Sequence, residues 1–166
     1  MQQAIDRVDH VGILVYRKNL GNYVEQISKV LNIEFGNPVL IEHAGMLAVH
    51  SWDAGLEFLA PLEEEGPFWD RLQKKGEGTT VIIFGVKDID TSEKWAAENG
   101  TPGEFELQLG GTEPWLNRFS KFREIKLTEM FGDDFGAWFA LSQIEPAASP
   151  EESMLGNDAT SHRAPA

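Results

Sequence analysis

His10, His50 and Glu57 are the side chains of this 166-residue sequence best suited to moving a proton. An imidazole titrates near neutrality, and a carboxyl set among apolar neighbours is pushed up towards it. Together they can remove and return a proton beside a carbonyl group. His10 stands in Val8-Asp9-His10-Val11-Gly12-Ile13-Leu14-Val15, His50 ends Met46-Leu47-Ala48-Val49-His50, and Glu57 lies in Leu56-Glu57-Phe58-Leu59. Residues two apart on a strand share a face, which groups His50 with Ala48 and Met46, and Glu57 with Leu59 and Gly55. Each also has a plainer reading. His10 can be a buried imidazole satisfied by Glu57, His50 an edge-strand histidine, and Glu57 a residue on the wet face of a half-buried strand.

The elements that must position these groups come in duplicate. The His10 segment is echoed by Thr79-Thr80-Val81-Ile82-Ile83-Phe84-Gly85-Val86, with Val81 standing where His10 stood. Each copy is an apolar strand followed by a polar turn and a helical pattern, so the chain reads as two βαβββ modules, residues 5–62 and 78–144. In the first, Asn19 is the expected N-cap of a helix carrying Leu20, Tyr23, Val24, Ile27, Val30 and Leu31 on one face. Extended stretches around Phe35 to Ile41, Met46 to His50 and Leu56 to Leu59 follow it. Glu64 to Gly76 predicts a linking helix, with Pro67 in its first turn and Gly76 at its end. In the second module Asp90-Thr91-Ser92-Glu93 has capping-box spacing and Trp95 is the expected anchor of the helix. Stretches at Phe105 to Leu109, Arg118 to Met130 and Ala137 to Ile144 complete the plan. Residues 1–145 are thus expected to form a single domain, and 146–166, rich in Ala, Ser, Pro, Glu and Gly, a disordered tail.

Composition narrows the partners. A net charge of −13 opposes nucleic acid and anionic membrane surfaces. The absence of cysteine excludes disulfides, thiolate metal sites and thiol nucleophiles. Neither a secretory leader nor an apolar run of bilayer-spanning length is evident, so a soluble cytoplasmic protein is expected.

Asp-His-Val-Gly-Ile at the first strand, Glu42-His43 before the meander, Leu56-Glu57-Phe58-Leu59-Ala60-Pro61-Leu62 at its last strand, Gly76-Glu77-Gly78 and Val86-Lys87-Asp88-Ile89-Asp90 resemble the vicinal oxygen chelate superfamily. This is the superfamily of glyoxalase I, bleomycin-resistance proteins and extradiol dioxygenases, and the resemblance is closest to methylmalonyl-CoA epimerase-like members. It implies an α+β fold in which two tandem βαβββ modules form a curved sheet cup, and a homodimer. It also implies four metal-ligand positions, which fall on His10, Glu57, Val81 and Ala140, and two acid–base carboxylate positions, which fall on Ala140 and Ala48. Valine and alanine offer no lone pair to a metal. No cofactor is therefore expected. A divalent ion held by His10, His50 and Glu57 is the alternative, since two imidazoles and one carboxylate make a known facial set.

The cup would then have a polar wall of His10, His50 and Glu57, facing a substrate-binding wall of Met46, Ala48, Val81, Ile83, Trp138 and Ala140. That arrangement suits a partly hydrophobic small molecule with one polar handle. The function expected is metal-independent acid–base chemistry of isomerase or lyase type on a carbonyl or enolisable compound. The alternative is a non-catalytic protein that sequesters a hydrophobic metabolite or antibiotic. Arg118, Lys121, Arg123 and Lys126, with Arg71 nearby, could hold an anionic group or pair with surrounding acids.

Overall fold

The structure, a computed structural model, describes residues 5–108, 119–128 and 135–147. Strand β1 (Ile5–Leu14) leads through helix α1 (Arg17–Leu31) to β2 (Val39–Ile41), a 3-10 turn (Glu42–Ala44), β3 (Met46–Ser51) and β4 (Leu56–Pro61). Helix α2 (Pro67–Lys75) connects to β5 (Gly78–Val86), α3 (Ile89–Glu98), β6 (Gly103–Gln108), β7 (Phe119–Leu127) and β8 (Trp138–Pro146). All the strands join one curled eight-stranded sheet in the order β2-β3-β4-β1-β5-β8-β7-β6. The βαβββ plan therefore occurs twice, in an α+β fold. Residues 148–166, most of the expected tail, lie outside the described residues, as do Leu109, Trp115, Arg118 and Met130.

The strand register relates the two halves. At the centre β1 and β5 run antiparallel, with Val11 opposite Ile82, Gly12 opposite Val81 and His10 opposite Ile83. The pair His10–Ile83 thus recurs, with the halves exchanged, as Val81–Gly12. Parallel neighbours extend the relation, since Gly12 lies beside Glu57 on β4 as Ile83 lies beside Ala140 on β8. Farther out, His50 faces Glu57 as Lys126 faces Ala140, and Ala48 faces Leu59 as Glu124 faces Ser142. Val81, Ala140, Lys126 and Glu124 are therefore the counterparts of His10, Glu57, His50 and Ala48.

Two apolar layers cover the sheet's outer face. Leu20, Tyr23, Val24 and Ile27 of α1 pack with Val49, Phe58 and Ala60. In the second half Ile89 and Ala96 of α3 pack with Val86, Ile125, Leu127 and Leu141. The inner face is different. Leu14, Met46, Ala48, Leu59, Val81, Ile83 and Ala140 line the cup and meet Leu72, Phe68 and Trp69 of α2, which lies across it.

Four local expectations are corrected. Asn19 does not cap α1, because the helix begins at Arg17 after Tyr16. Its N-terminus is satisfied from another part of the chain, by Glu77, which accepts from the Tyr16 N–H at 2.8 Å, Asn19 Nδ2 at 2.9 Å and the Tyr23 hydroxyl at 2.7 Å. A carboxylate there also meets the positive end of the helix dipole. Asp90 does not cap α3. Asp88 does, accepting from the Thr91 N–H and hydroxyl, while Asp90 pairs with Arg123 at 2.8 Å. Trp95 does not anchor α3, since it is 54% exposed and the helix is seated by Ile89 and Ser92. Phe35, finally, precedes the strand in which it was expected.

Candidate active site

Alternation along the strands decides what enters the cup. On β4, Phe58 and Ala60 turn outward under α1, which sends Glu57 and Leu59 inward. On β7, Ile125 and Leu127 pack under α3, leaving Glu124 and Lys126 to face in. The result is a buried cluster of four ionisable side chains drawn from both modules. Glu57 accepts a hydrogen bond from His50 Nε2 at 2.6 Å, and its other oxygen lies 3.8 Å from His10 Nε2. His10 Nε2 lies 3.4 Å from Glu124 Oε1.

Behind this cluster runs a chain of contacts to the surface. His10 Nδ1 meets Asp9 Oδ2 at 3.0 Å, and Asp9 Oδ1 accepts from Arg7 Nη2 at 2.8 Å. A carboxylate on Nδ1 fixes that nitrogen as the protonated one and turns Nε2 towards the carboxylates. Trp52 closes the other side, stacked on the His50 ring at 4.4 Å and meeting Phe119 edge-on at 4.9 Å.

The electrostatics divide the two carboxyls. Burial alone would raise Glu57, but the neighbouring His50 and His10 hold it below the ordinary carboxylate value. Glu124 goes the other way. Burial, reinforced by the charges of Glu57 and Asp9, outweighs the pull of His10 and His50 and pushes it up to about 7. Burial would depress His10, but Glu124, the Asp9 hydrogen bond and Glu57 outweigh it and raise the imidazole to about 9. Two carboxyls whose environments push them apart have separate tasks open to them. Glu57 remains an anionic acceptor, whereas Glu124 can gain and lose a proton near neutrality.

A cavity of about 80 Å³ opens beside them. Met46, Val81, Ile83, Trp138 and Ala140 line it, together with Leu59, Phe68, Glu57 and Glu124. His10 and His50 are placed behind the carboxylates rather than on the lining, and Ala48 is sealed in the core at 0% exposure. Glu124 Oε1 is closed to solvent with no aligned hydrogen-bond partner. Sequence reasoning singled out the basic members of its strand and passed over Glu124. The signal available was its two-residue spacing from Phe122 and Lys126.

The fold is shared with solved structures of methylmalonyl-CoA epimerases. A Streptomyces coelicolor methylmalonyl-CoA epimerase variant, in complex with 2-nitronate-propionyl-CoA, matches 84% of this chain and 98% of its own at 23% identity, with a TM-score of 0.65. The Mycobacterium tuberculosis methylmalonyl-CoA epimerase matches 89% and 93% at 21% identity and a TM-score of 0.65. The chain has the vicinal oxygen chelate fold. A further methylmalonyl-CoA epimerase, in complex with methylmalonyl-CoA and NH4+, shares this fold at 23% identity over 84% of this chain and 95% of its own, with a TM-score of 0.65. No family model matches the sequence, and no curated protein does.

The residues present do not fit the metal of a vicinal oxygen chelate site. Val81 and Ala140, the counterparts of His10 and Glu57, carry no donor atom. In the alternative set of His10, His50 and Glu57, His50 Nε2 is bonded to Glu57 at 2.6 Å. Among the described residues no group of three or more His, Asp or Glu is arranged to hold a metal ion. No helix among them is long and apolar enough to cross a membrane.

Proposed function

We propose that this protein is an isomerase-type enzyme that moves a proton at a carbon beside a carbonyl group, with Glu124 as the base. The observation that carries this reading is the position of Glu124. It faces an apolar cavity, stands 3.4 Å from a buried imidazole, and is poised to ionise near pH 7. In the reaction the substrate C–H bond breaks, the proton goes to a Glu124 oxygen, and the electron pair passes to the carbonyl oxygen as an enolate. Return of that proton by Glu124 to another carbon of the conjugated enolate, on the same face, gives a carbonyl compound isomeric with the first. His10, charged and fixed by Asp9, holds Glu124 in place and steadies its anionic form before the transfer. Val81, Ile83, Ala140 and Leu59 keep water from the carbanionic intermediate.

The solved structures of similar fold are named as epimerases, enzymes that invert a carbon centre, and this supports the isomerase class. Two of them are complexes with 2-nitronate-propionyl-CoA and with methylmalonyl-CoA. At about 80 Å³ the cavity is roughly half the size of a ~150 Å³ apolar cavity that binds benzene, a size suited to an acyl fragment. The reaction proposed runs without a metal ion, because the side chains suffice for each transfer.

The test is deuterium uptake at the α-carbon of short carbonyl compounds in D2O, followed by NMR. The intact protein should accelerate exchange, and Glu124→Gln should reduce it by about 10²–10⁴-fold while the fold persists. Retention of full exchange by the folded variant would remove Glu124 as the base. Tight binding without exchange would favour the sequestering alternative.

A further inference from the structure

Alternation on β7 separates its basic residues into two groups with different fates. Arg123 turns outward and is spent on Asp90 at 2.8 Å and Glu106 at 2.7 Å. Lys126 turns inward, lines the cavity, and lies on the same face as Glu124. Its ammonium sits 4.7 Å from the centre of the Trp138 ring and pairs with Glu104 of β6. The Arg71 guanidinium of α2 reaches the same ring at 4.4 Å and donates to the Gly136 carbonyl. Two cations thus converge on one indole at the cavity rim, in a protein whose net charge is −13. Glu104, which neutralises Lys126, is 55% exposed, so a ligand can displace it at little cost in desolvation.

We propose that this rim is an anion site and that the substrate is a short-chain carbonyl acid, its carboxylate held by Lys126 and Arg71 against Trp138. The assignment rests on the reading of Glu124 as the base, and it names what that base acts on. Cα atoms two apart on a strand are separated by about 7 Å, so the tips of Lys126 and Glu124 converge on a molecule only a few bonds long. The carboxylate lies at the rim and the α-carbon in the cavity. Glu57 and Glu124 repel a carboxylate from the inner end, so the ligand enters in one orientation. Glu104 acts as an internal competitor that keeps Lys126 charged and in place until the ligand arrives.

Isobutyrate and isobutyramide, alike in shape and different in charge, provide the test, with the Trp138 indole N–H resonance as the NMR readout. Isobutyrate should bind at least about tenfold more tightly than the amide, as expected for a charge-assisted contact. Lys126→Gln should abolish the preference, Lys126→Arg should retain part of it, and Glu104→Gln should strengthen isobutyrate binding. Equal affinity of the intact protein for the two compounds would overturn the proposal, whatever the variants do. So would an undiminished preference in folded Lys126→Gln. Glu124→Gln separates this inference from the one it builds on, since it should keep the preference for isobutyrate and lose α-carbon exchange. A preference that persists beside full exchange in that variant would leave the anion site standing and the base misassigned.

Discussion

His10 and Glu124 come from different modules and meet 3.4 Å apart. Neither can be exchanged for its counterpart. Val81, equivalent to His10, has no basic nitrogen, and Ala48, equivalent to Glu124, has no carboxyl group. The reactive pair exists only because the sheet curls far enough to bring β7 over β1.

Asp9 should govern the imidazole without touching a ligand in the cavity. Burial alone would raise Asp9, but the His10 hydrogen bond and the charges of His10 and Arg7 hold it low, so it stays anionic. Asp9→Asn removes that charge and permits the other tautomer. The His10 pKa should fall and exchange activity should drop about 10- to 100-fold, by analogy with outer-shell partners of metal-bound histidines. NMR titration of the His10 ring checks the first effect. A merely structural hydrogen bond would survive in asparagine and leave the His10 titration unmoved.

Stability should decline on the alkaline side. His10 has its folded pKa raised from 6.5 to about 9, so its contribution is fully present below pH 6.5 and is lost as the pH climbs through 9. The shift corresponds to about 3 kcal/mol. Glu124, raised from 4.5 to about 7, acts in the same direction over a lower window, because ionising it in the folded state costs more than in the unfolded chain. Glu57 is depressed and contributes stability above pH 4.5 that is lost as the pH falls through its folded value. Urea denaturation should therefore show a maximum on the mildly acidic side, and His10→Asn should flatten the limb between pH 6.5 and 9. An unchanged limb in that variant would show that the imidazole is not the group responsible.

Gly12 permits the close approach at the centre of the cup. A Cβ there would lie 2.5 Å from Val81 Cγ1 and 3.3 Å from Glu57 Oε2. Gly12→Ala should destabilise the fold by about 1–3 kcal/mol. Because the worst clash is with Val81, adding Val81→Ala should recover much of that loss. A double-mutant cycle by chemical denaturation measures the coupling, and strict additivity would place the strain elsewhere.

Glu77→Ala should loosen α1. It removes the acceptor for the Tyr16 N–H, Asn19 and Tyr23 together, at a cost of about 1 kcal/mol by comparison with other caps. Thermal melting gives the loss. Hydrogen exchange should localise it to the first turn of α1, and protection unchanged there would show that the turn is held by other contacts.

The tandem plan was legible because an internal echo is a local pattern, whereas the inward direction of Glu57, Val81 and Ala140 followed from the resemblance that put them at ligand positions. Glu124 was not. It sits among Arg123, Ile125 and Lys126, where charge suggests a wet strand, and only the curl of the sheet shows that alternate members face a closed cavity. The caps illustrate a second limit. Asp88 and Asp90 both offer a capping carboxyl in plausible register with the helical pattern, and packing of Ile89 against Leu141 of β8 accompanies the start at Ile89. Glu77 lies too far along the sequence from Tyr16 for any local motif to disclose the bond.

The unlike halves described by the strand register bear finally on handedness. A cup built from two identical modules would offer a ligand two superimposable poses, with a base available to either face of a planar enolate. Here the carboxyl at position 124 has only Ala48 as its counterpart across the pseudo-two-fold relation of the strand register, and the cation at 126 has only His50. A planar intermediate held at Lys126 consequently presents one enantioface to Glu124, so the proton it gives up and the proton it regains should lie on the same face.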